Sequence, residues 1–134
     1  MTKYQIICHG GAWSIPDDLE AASADEIQQA AAAGLVILEK GGTAEDAVVE
    51  AVTFLENSPT FNAGVGACLT RAGTVELDSM VMRSRDLEIG AVAAVRKVFQ
   101  SKLKLATIFA YWGHNLKNYV GGIFECWCQN VCEK

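Results

Sequence analysis

The segment LENSPTFNAGVGA, residues 55–67, closes a helical pattern and opens a loop that contains glycine. Pro59 restricts the backbone of the residue before it, so a helix is expected to end just ahead of it. Gly64 and Gly66 permit a tight turn. Asn62 carries both a hydrogen-bond donor and an acceptor. The segment therefore predicts either an ordinary turn or one loop of a binding site.

Two amphipathic helices are predicted before this loop. The first follows a proline turn, has a capping box at Ser23 and Glu26, and ends at the glycine pair 41–42. Thr43 and Asp46 form a weaker capping box for the second helix. The apolar faces consist of residues at helical spacing, which are Ile27, Ala31, Gly34, Leu35 and Leu38, followed by Val48, Val52 and Leu55.

Segments with strand composition lie on both sides of the helices. Residues 3–9 form the first and stop at two glycines. Residues 67–70 and 74–82 alternate between apolar and polar positions, and residues 71–73 would join them as a hairpin loop. Residues 89–95 suit a covered strand, although their length also fits a buried helical segment. The pattern predicts the α+β class, with helices packed on a mainly antiparallel sheet.

Composition narrows the class of protein and its partners. The chain has 134 residues, of which 51% are hydrophobic, and a formal net charge of −5, so we expect one globular domain with its own core. No run of Lys or Arg indicates binding to nucleic acid or to a membrane surface. No signal peptide or membrane-spanning run is read from the sequence, and the expected location is the cytoplasm. Small molecules or proteins are the expected partners.

The cysteines are expected to remain thiols, because their number is odd and no secretory signal is read. The C-terminal three do not have the C-x2-C spacing of structural zinc sites, so a metal site there is disfavoured. The five cysteines are Cys8, Cys68, Cys126, Cys128 and Cys132.

A second candidate site segment is His9-Gly10-Gly11-Ala12, where a strand pattern runs into glycines. Missing side chains let backbone N–H groups face a ligand closely. The alternative is a turn whose histidine forms a hydrogen bond locally.

Five segments in order, HGGAW, GGTAEDAV, LENSPTFNAGVGA, GTVELDS and GAVAAV, resemble the isoaspartyl peptidase/L-asparaginase family of plant-type asparaginases. The resemblance covers residues 4 to about 98. It implies an N-terminal-nucleophile hydrolase whose αββα sandwich would be present only in part, as the α-subunit-like portion. We therefore expect an asparaginase-like region at residues 1–98 and a divergent tail at residues 99–134.

The resemblance also implies a reaction. In this family a precursor cuts itself before a threonine, whose hydroxyl attacks the amide of L-asparagine or of a β-aspartyl dipeptide while its α-amine acts as the base. That threonine lies in a Gly-Thr-Val-Gly stretch, which residues 1–134 lack. Thr74 looks similar but falls in a predicted hairpin turn, and Thr43 is better explained as a helix N-cap. The expectation is a chain that stops before the nucleophile and is inactive by itself.

Supporting residues of the site follow from the same resemblance. Gly10 and Gly11 would lie beside the threonine, and Asn62 would orient water or the developing oxyanion. No organic cofactor is implied. A structural sodium ion would be held by main-chain carbonyls, a chemically suitable set for a hard cation. Its ligands would come from Leu55, Glu56, Ser58, Phe61, Ala63 and Val65.

Departures from the family pattern fall late in the chain. Met82-Arg83-Ser84 stands where the family has a Met-Asp-Gly turn, and Ser101 and Lys102 replace Asn-Pro before a further predicted helix. Beyond His114 the resemblance ends. Two other roles stay open. One is a non-catalytic binding or regulatory fragment of a full-length homologue, with a homologous subunit or a second copy as the partner. The other is a product with no cellular role.

Overall fold

The computed structural model describes residues 4–12 and 14–96. The chain divides into two compact units, Met1–Gly66 and Ala67–Lys134. The described part of the first unit contains helices α1 (Asp17–Glu39) and α2 (Ala44–Glu56) and a short 3₁₀ turn (Gly64–Gly66). The described part of the second contains strands β1 (Leu77–Arg83) and β2 (Glu88–Val95).

Helix α1 begins at Asp17, with Pro16 as its N-cap. Asp17, Asp18 and Glu20 lie in the first turn, where negative charge complements the helix dipole. The predicted start at the Ser23 capping box is wrong, because the preceding segment contains good helix formers and no helix breaker. Ser23 instead lies inside the helix, 3% exposed, and its hydroxyl has no hydrogen-bond partner among the described residues.

The link between the two helices has the predicted form. Helix α1 ends at Glu39, and Gly41 adopts a φ of +83° in the left-handed region, as expected after a helix. Thr43 caps α2: its hydroxyl accepts a hydrogen bond from the Asp46 N–H at 3.1 Å, and the Asp46 carboxylate accepts one from the Thr43 N–H at 3.3 Å. The predicted second capping box is confirmed.

Helices α1 and α2 approach each other through small residues. Ala30, Ala47 and Ala51 are 0%, 1% and 3% exposed. A Cβ atom placed on Gly34 would lie 2.7 Å from the Ala47 carbonyl oxygen and would overlap the Ile6 side chain. Only glycine therefore fits at this crossing. The larger apolar residues predicted to mark the helix faces, such as Val52, are only half-buried.

The first predicted strand, residues 3–9, is not a strand over its described part, residues 4–9. A strand requires a hydrogen-bonded neighbour, and no described residue forms a ladder with this segment. Burial nevertheless alternates over residues 6–9, where Ile6 and Cys8 are half-buried and Ile7 and His9 are exposed. Ile6 reaches the Gly34 surface of α1, whereas Ile7 is 95% exposed.

The described part of the second unit contains an antiparallel hairpin. Strand β1 pairs with β2 in a register that places Arg83 opposite Glu88 and Ser79 opposite Val92. The register shifts between Leu77 and Ser79, where the Asp78 carboxylate accepts a hydrogen bond from the Ala94 N–H at 2.7 Å. The strand interpretation of residues 89–95 is confirmed and the helical alternative is wrong. Their expected burial on both faces is not found, because three alanines, Ala91, Ala93 and Ala94, are exposed.

The predicted turn at residues 71–73 is present. Gly73 has a φ of +70°, and its N–H donates to the Thr70 carbonyl at 2.8 Å. The Thr70 N–H in turn donates to the Thr74 carbonyl at 2.8 Å. Residues 67–70 are not in a strand, and β1 begins later than predicted, at Leu77.

Ion pairs accompany the β1–β2 hairpin. The Arg83 guanidinium contacts the Asp86 carboxylate at 2.7 Å and also pairs with Glu88. The Arg83 hydrogen bond holds the pKa of Asp86 below its usual value. Leu87 closes the turn with a φ of +58°, an uncommon conformation for a side chain of this kind.

The two helices and the two-stranded antiparallel sheet are compatible with the α+β prediction. The further helix expected from Ser101 and the boundary between residues 98 and 99 lie outside the described residues. Within residues 4–12 and 14–96, neither helix has the length and apolar character needed to cross a bilayer.

Candidate functional site

All the site residues predicted from the sequence lie in the first unit, and most belong to the loop after α2. The loop leaves the helix at Asn57, whose N–H donates to the Thr53 carbonyl at 3.1 Å. It ends in the 3₁₀ turn, where the Gly66 N–H donates to the Ala63 carbonyl at 3.1 Å. The loop therefore has its own backbone hydrogen bonds and is a defined structure.

Gly64 and Gly66 are required by the path of this loop. Gly64 has a φ of +53°, and a Cβ atom there would overlap the Glu56 carbonyl. A Cβ atom on Gly66 would overlap the Phe61 carbonyl oxygen and lie 2.7 Å from that of Pro59. The two glycines therefore let the loop pass close to the backbone carbonyls of Glu56, Pro59 and Phe61.

The loop and the N-terminal segment meet at Gly10. A Cβ atom on Gly10 would lie 2.6 Å from Cε1 of Phe61 and 2.9 Å from Cδ1 of Ile27. Phe61 is 5% exposed, so this contact is part of the packed interior of the unit. Asn62 follows Phe61 directly. The structure thus brings together the two segments that the sequence proposed as separate halves of one site.

The glycine pair has an internal hydrogen bond. Gly11 adopts a φ of +100°, and its N–H donates to Nδ1 of His9 at 3.1 Å. His9 is exposed. The local hydrogen bond expected for a simple turn is therefore present, and a ligand reaching the Gly11 N–H would replace the histidine as its acceptor.

Some of the main-chain carbonyls expected to hold a cation already take part in backbone hydrogen bonds. Three of them accept backbone hydrogen bonds: Leu55 from Ser58 at 3.2 Å, Phe61 from Ala63 at 2.8 Å, and Ala63 from Gly66 at 3.1 Å. A carbonyl oxygen has two lone pairs, so each keeps capacity for a further partner. This remaining capacity is compatible with a hard cation, which prefers oxygen ligands.

Glu26 lies near the loop after α2, and its predicted role in a capping box is wrong. Its carboxylate does not close a capping box. Instead Ser58 Oγ donates to one oxygen, and Thr60 Oγ1 donates to the other at 3.1 Å. The partners lie 32 and 34 positions away, so no local pattern could have indicated the contact. A carboxylate of α1 is thereby tied to the loop after α2.

Neither Gly-Thr pair among the described residues resembles a nucleophile. The Thr43 hydroxyl belongs to the α2 capping box, as predicted, and also donates to the Asp46 carboxylate at 2.8 Å. The Thr74 hydroxyl lies 2.9 Å from that of Thr70 beside the turn. The interpretation of Thr74 as a turn residue is confirmed.

The cysteines differ from each other. Cys8 is a free, half-buried thiol, and burial raises its pKa, which disfavours the reactive thiolate. Cys68 is disulfide-bonded, so the expectation that every cysteine remains a thiol is wrong for this residue. The odd count could not decide this, because pairing depends on which sulfurs the fold places together. The other three cysteines lie outside the described residues.

A metal centre formed by side chains would need several His, Cys, Asp or Glu residues close together. In the part of the chain that the structure describes, no group of three or more His, Cys, Asp or Glu side chains is placed to hold a metal ion.

Comparison with known proteins gives consistent matches. The asparaginase family model matches residues 2–111. An isoaspartyl peptidase/L-asparaginase of Danio rerio is 47% identical over 69% of this chain and 30% of its own length, and one of Bos taurus is 43% identical over 81% and 35%. A plant-type L-asparaginase of Pyrococcus abyssi is 46% identical over 67% and 30%.

The chain thus spans about a third of the length of these curated relatives. The family model includes the HGG segment, both helices, the glycine-containing loop and the β1–β2 hairpin described above. On this match the chain belongs to the asparaginase family.

Proposed function

We propose that the first unit forms part of a site that hydrolyses the amide bond of L-asparagine and of β-aspartyl (isoaspartyl) dipeptides. The observation that carries the proposal is the packing of Gly10 against Phe61, next to Asn62, in a chain that belongs to the asparaginase family. The names of the relatives supply the two substrate classes.

The proposed roles follow from the chemistry of each group. The Asn62 amide can donate a hydrogen bond to the developing oxyanion or accept one from the attacking water. Gly10 and Gly11 leave room for a reacting group to approach the backbone closely.

The threonine nucleophile and its α-amine base would be supplied from outside residues 1–134, after autoprocessing, and would complete an αββα sandwich. In this proposal the chain by itself hydrolyses neither substrate. The described Gly-Thr pairs support this, because the hydroxyls of Thr43 and Thr74 already have structural partners.

The loop would also hold a sodium ion. Carbonyls of Leu55, Glu56, Ser58, Phe61, Ala63 and Val65 form the proposed ligand set. Such an ion would fix the loop in shape and would take no part in bond breaking. A bound cation stabilises the folded state by mass action, so NaCl should raise the melting temperature more than choline chloride of equal ionic strength. Equal effects of the two salts would contradict the sodium proposal.

The hydrolase proposal is tested by complementation. The purified chain is assayed for ammonia release from L-asparagine and for aspartate release from a β-aspartyl dipeptide, first by itself and then mixed with the remaining two thirds of a relative. We expect turnover only in the mixture. Asn62→Ala should lower kcat by about 10²–10³-fold, the usual loss for an oxyanion donor.

Asn57→Ala is the matched control, because Asn57 is exposed and caps α2 through its backbone. It should leave kcat close to that of the unmodified mixture. Ammonia release by the pure chain, abolished by Asn62→Ala, would overturn the assignment of the nucleophile to another part of the protein. A mixture that binds but has no activity would contradict the hydrolase proposal itself.

A non-catalytic role is the second candidate, and the exposure of Ile7 favours it. Ile7 is 95% exposed beside the Ile6 contact, so a partner that covers it would gain by removing its apolar surface from water. In this role the chain would bind a full-length homologue or a second copy. Co-purification with an intact relative, with Ile7→Ser weakening the complex and Asn62→Ala leaving it unchanged, would favour this role over catalysis.

A further inference from the structure

One carboxylate connects α1 to the loop that carries Asn62. Glu26 accepts hydrogen bonds on both oxygens, from the hydroxyls of Ser58 and Thr60. The Thr60 N–H donates to Ser58 Oγ at 3.0 Å, so the two hydroxyl residues are also joined to each other. Hydrogen bonds to a carboxylate are about twice as strong as those between neutral groups, so this is a firm tie between helix and loop.

The tie lies beside the packed residues of the site. Ile27, the next residue of α1, and Phe61, the next residue after Thr60, both contact the Gly10 position. Ser58 and Phe61 are 8% and 5% exposed. Holding Ser58 and Thr60 therefore also fixes the direction in which the chain enters Phe61 and Asn62.

Glu26 is not required to fill the interior. It lines an open depression of about 560 Å³ together with Ala22, Asp25, Gln29, Phe54, Asn57, Ser58 and Pro59. Replacing its carboxylate therefore removes the tie without opening a closed cavity in the core. A change in the loop can be separated from a general loss of packing.

We propose that Glu26 is a positioning residue for the amide-hydrolysing site: it fixes residues 58–62 against α1, and through them the side chain of Asn62. This inference rests on the proposed function. The tie is formed wholly within the first unit. Among the described residues, none outside the first unit takes part in it.

Hydrogen exchange of the full chain tests the tie directly. Glu26→Ala should speed exchange of the Thr60 amide by about tenfold, the size of one ordinary hydrogen-bond contribution. The Ala47 amide, which donates to the Thr43 carbonyl within α2, should be unchanged. Glu26→Gln should restore part of the protection, because its amide oxygen still accepts one hydroxyl.

Asp25→Ala is the matched control, since Asp25 has the same charge one position earlier and accepts a hydrogen bond from Gln29 in its own helix at 2.7 Å. It should leave the Thr60 amide unchanged. Equal acceleration at Thr60 and Ala47 in Glu26→Ala would show a general structural role and overturn the inference. No acceleration at Thr60 would overturn it as well.

The complementation mixture separates this inference from the proposed function. There Glu26→Ala should lower kcat about tenfold with little change in KM, and Asp25→Ala should change neither. A lower kcat in both variants, or a change confined to KM, would contradict a positioning role. If the unmodified mixture has no activity, the hydrolase proposal fails, while the exchange measurement still decides whether Glu26 holds the loop.

Discussion

Each of the two units is stabilised internally by a different kind of contact. In the first, order depends on close backbone approaches at positions that only small residues can fill, such as Gly34 between Ile6 and Ala47. In the second, a backbone ladder is supported by ion pairs on the surface, such as Arg83 with Asp86. We therefore expect substitutions at glycines of the first unit to lower the free energy of unfolding strongly. Side-chain changes in the second unit should change it by small amounts.

The largest expected difference between the units is at two glycines with positive φ. Gly64 (φ +53°) is crowded by the Glu56 carbonyl, and Gly73 (φ +70°) has no atom within 4 Å of an added Cβ. An alanine in this conformation costs about 1–2 kcal/mol at either site. Crowding adds about 1–3 kcal/mol at Gly64. Urea unfolding followed by circular dichroism should show the greater loss in the free energy of unfolding for Gly64→Ala.

The two alanine variants control for each other, because both place a Cβ atom on a left-handed backbone. Equal losses would mean that the carbonyls around Gly64 move aside, and the contrast between crowded and open units would fail.

A smaller effect of opposite sign is expected in β2. Ala94 has a φ of +51°, which glycine adopts without strain, so Ala94→Gly should raise the free energy of unfolding by about 0.5–1 kcal/mol. Ala93→Gly, at the exposed neighbouring position without a positive φ, should lower it by about the same amount. Thermal unfolding of both variants would measure the difference, and a loss in Ala94→Gly would show that the Asp78 contact depends on the alanine.

The smallest effect concerns pH. The hydrogen bond from Arg83 lowers the pKa of Asp86 in the folded state, so the stabilisation it contributes is present above the unfolded-state pKa, near 3.8, and is lost as the pH falls through the folded-state pKa. Asp86→Asn should therefore be less stable than the unmodified protein at pH 6, and the two should converge in acid. Titrating the unfolding midpoint of both proteins checks this. High salt should reduce the difference at pH 6, and a difference that grows in acid would contradict it.

Local signals in the sequence were sufficient wherever the partners are near neighbours. The Thr43–Asp46 capping box and the turn at Gly73 each involve residues within four positions, and both were predicted. The capping box at Ser23 failed although its sequence pattern is the stronger of the two, because Glu26 binds partners more than 30 positions away. Segment 4–9 failed as a strand because a ladder needs a neighbour that composition does not specify.

The candidate site also depends on contacts between residues far apart in the sequence. Gly10, Gly11 and Asn62 were proposed from the family resemblance, and the structure places Gly10 against the residue before Asn62. The sequence could not show that Phe61 makes this contact, since the distance along the chain is large and the signal is a missing Cβ. It also could not show that Glu26 joins the loop. Both depend on how α1 lies against its neighbours in the folded unit.

The short link between α1 and α2, residues 40–43, has a consequence for the order of folding. Closing so short a connection costs little chain entropy, and the contacts of Gly34 with Ala47 and Ala51 join residues close in sequence. Contacts of low sequence separation form early. The helix pair should therefore assemble first and act as a template on which the N-terminal segment and the Asn62 loop later settle, so a substitution at Gly34 would slow folding, whereas one in the loop would mainly speed unfolding.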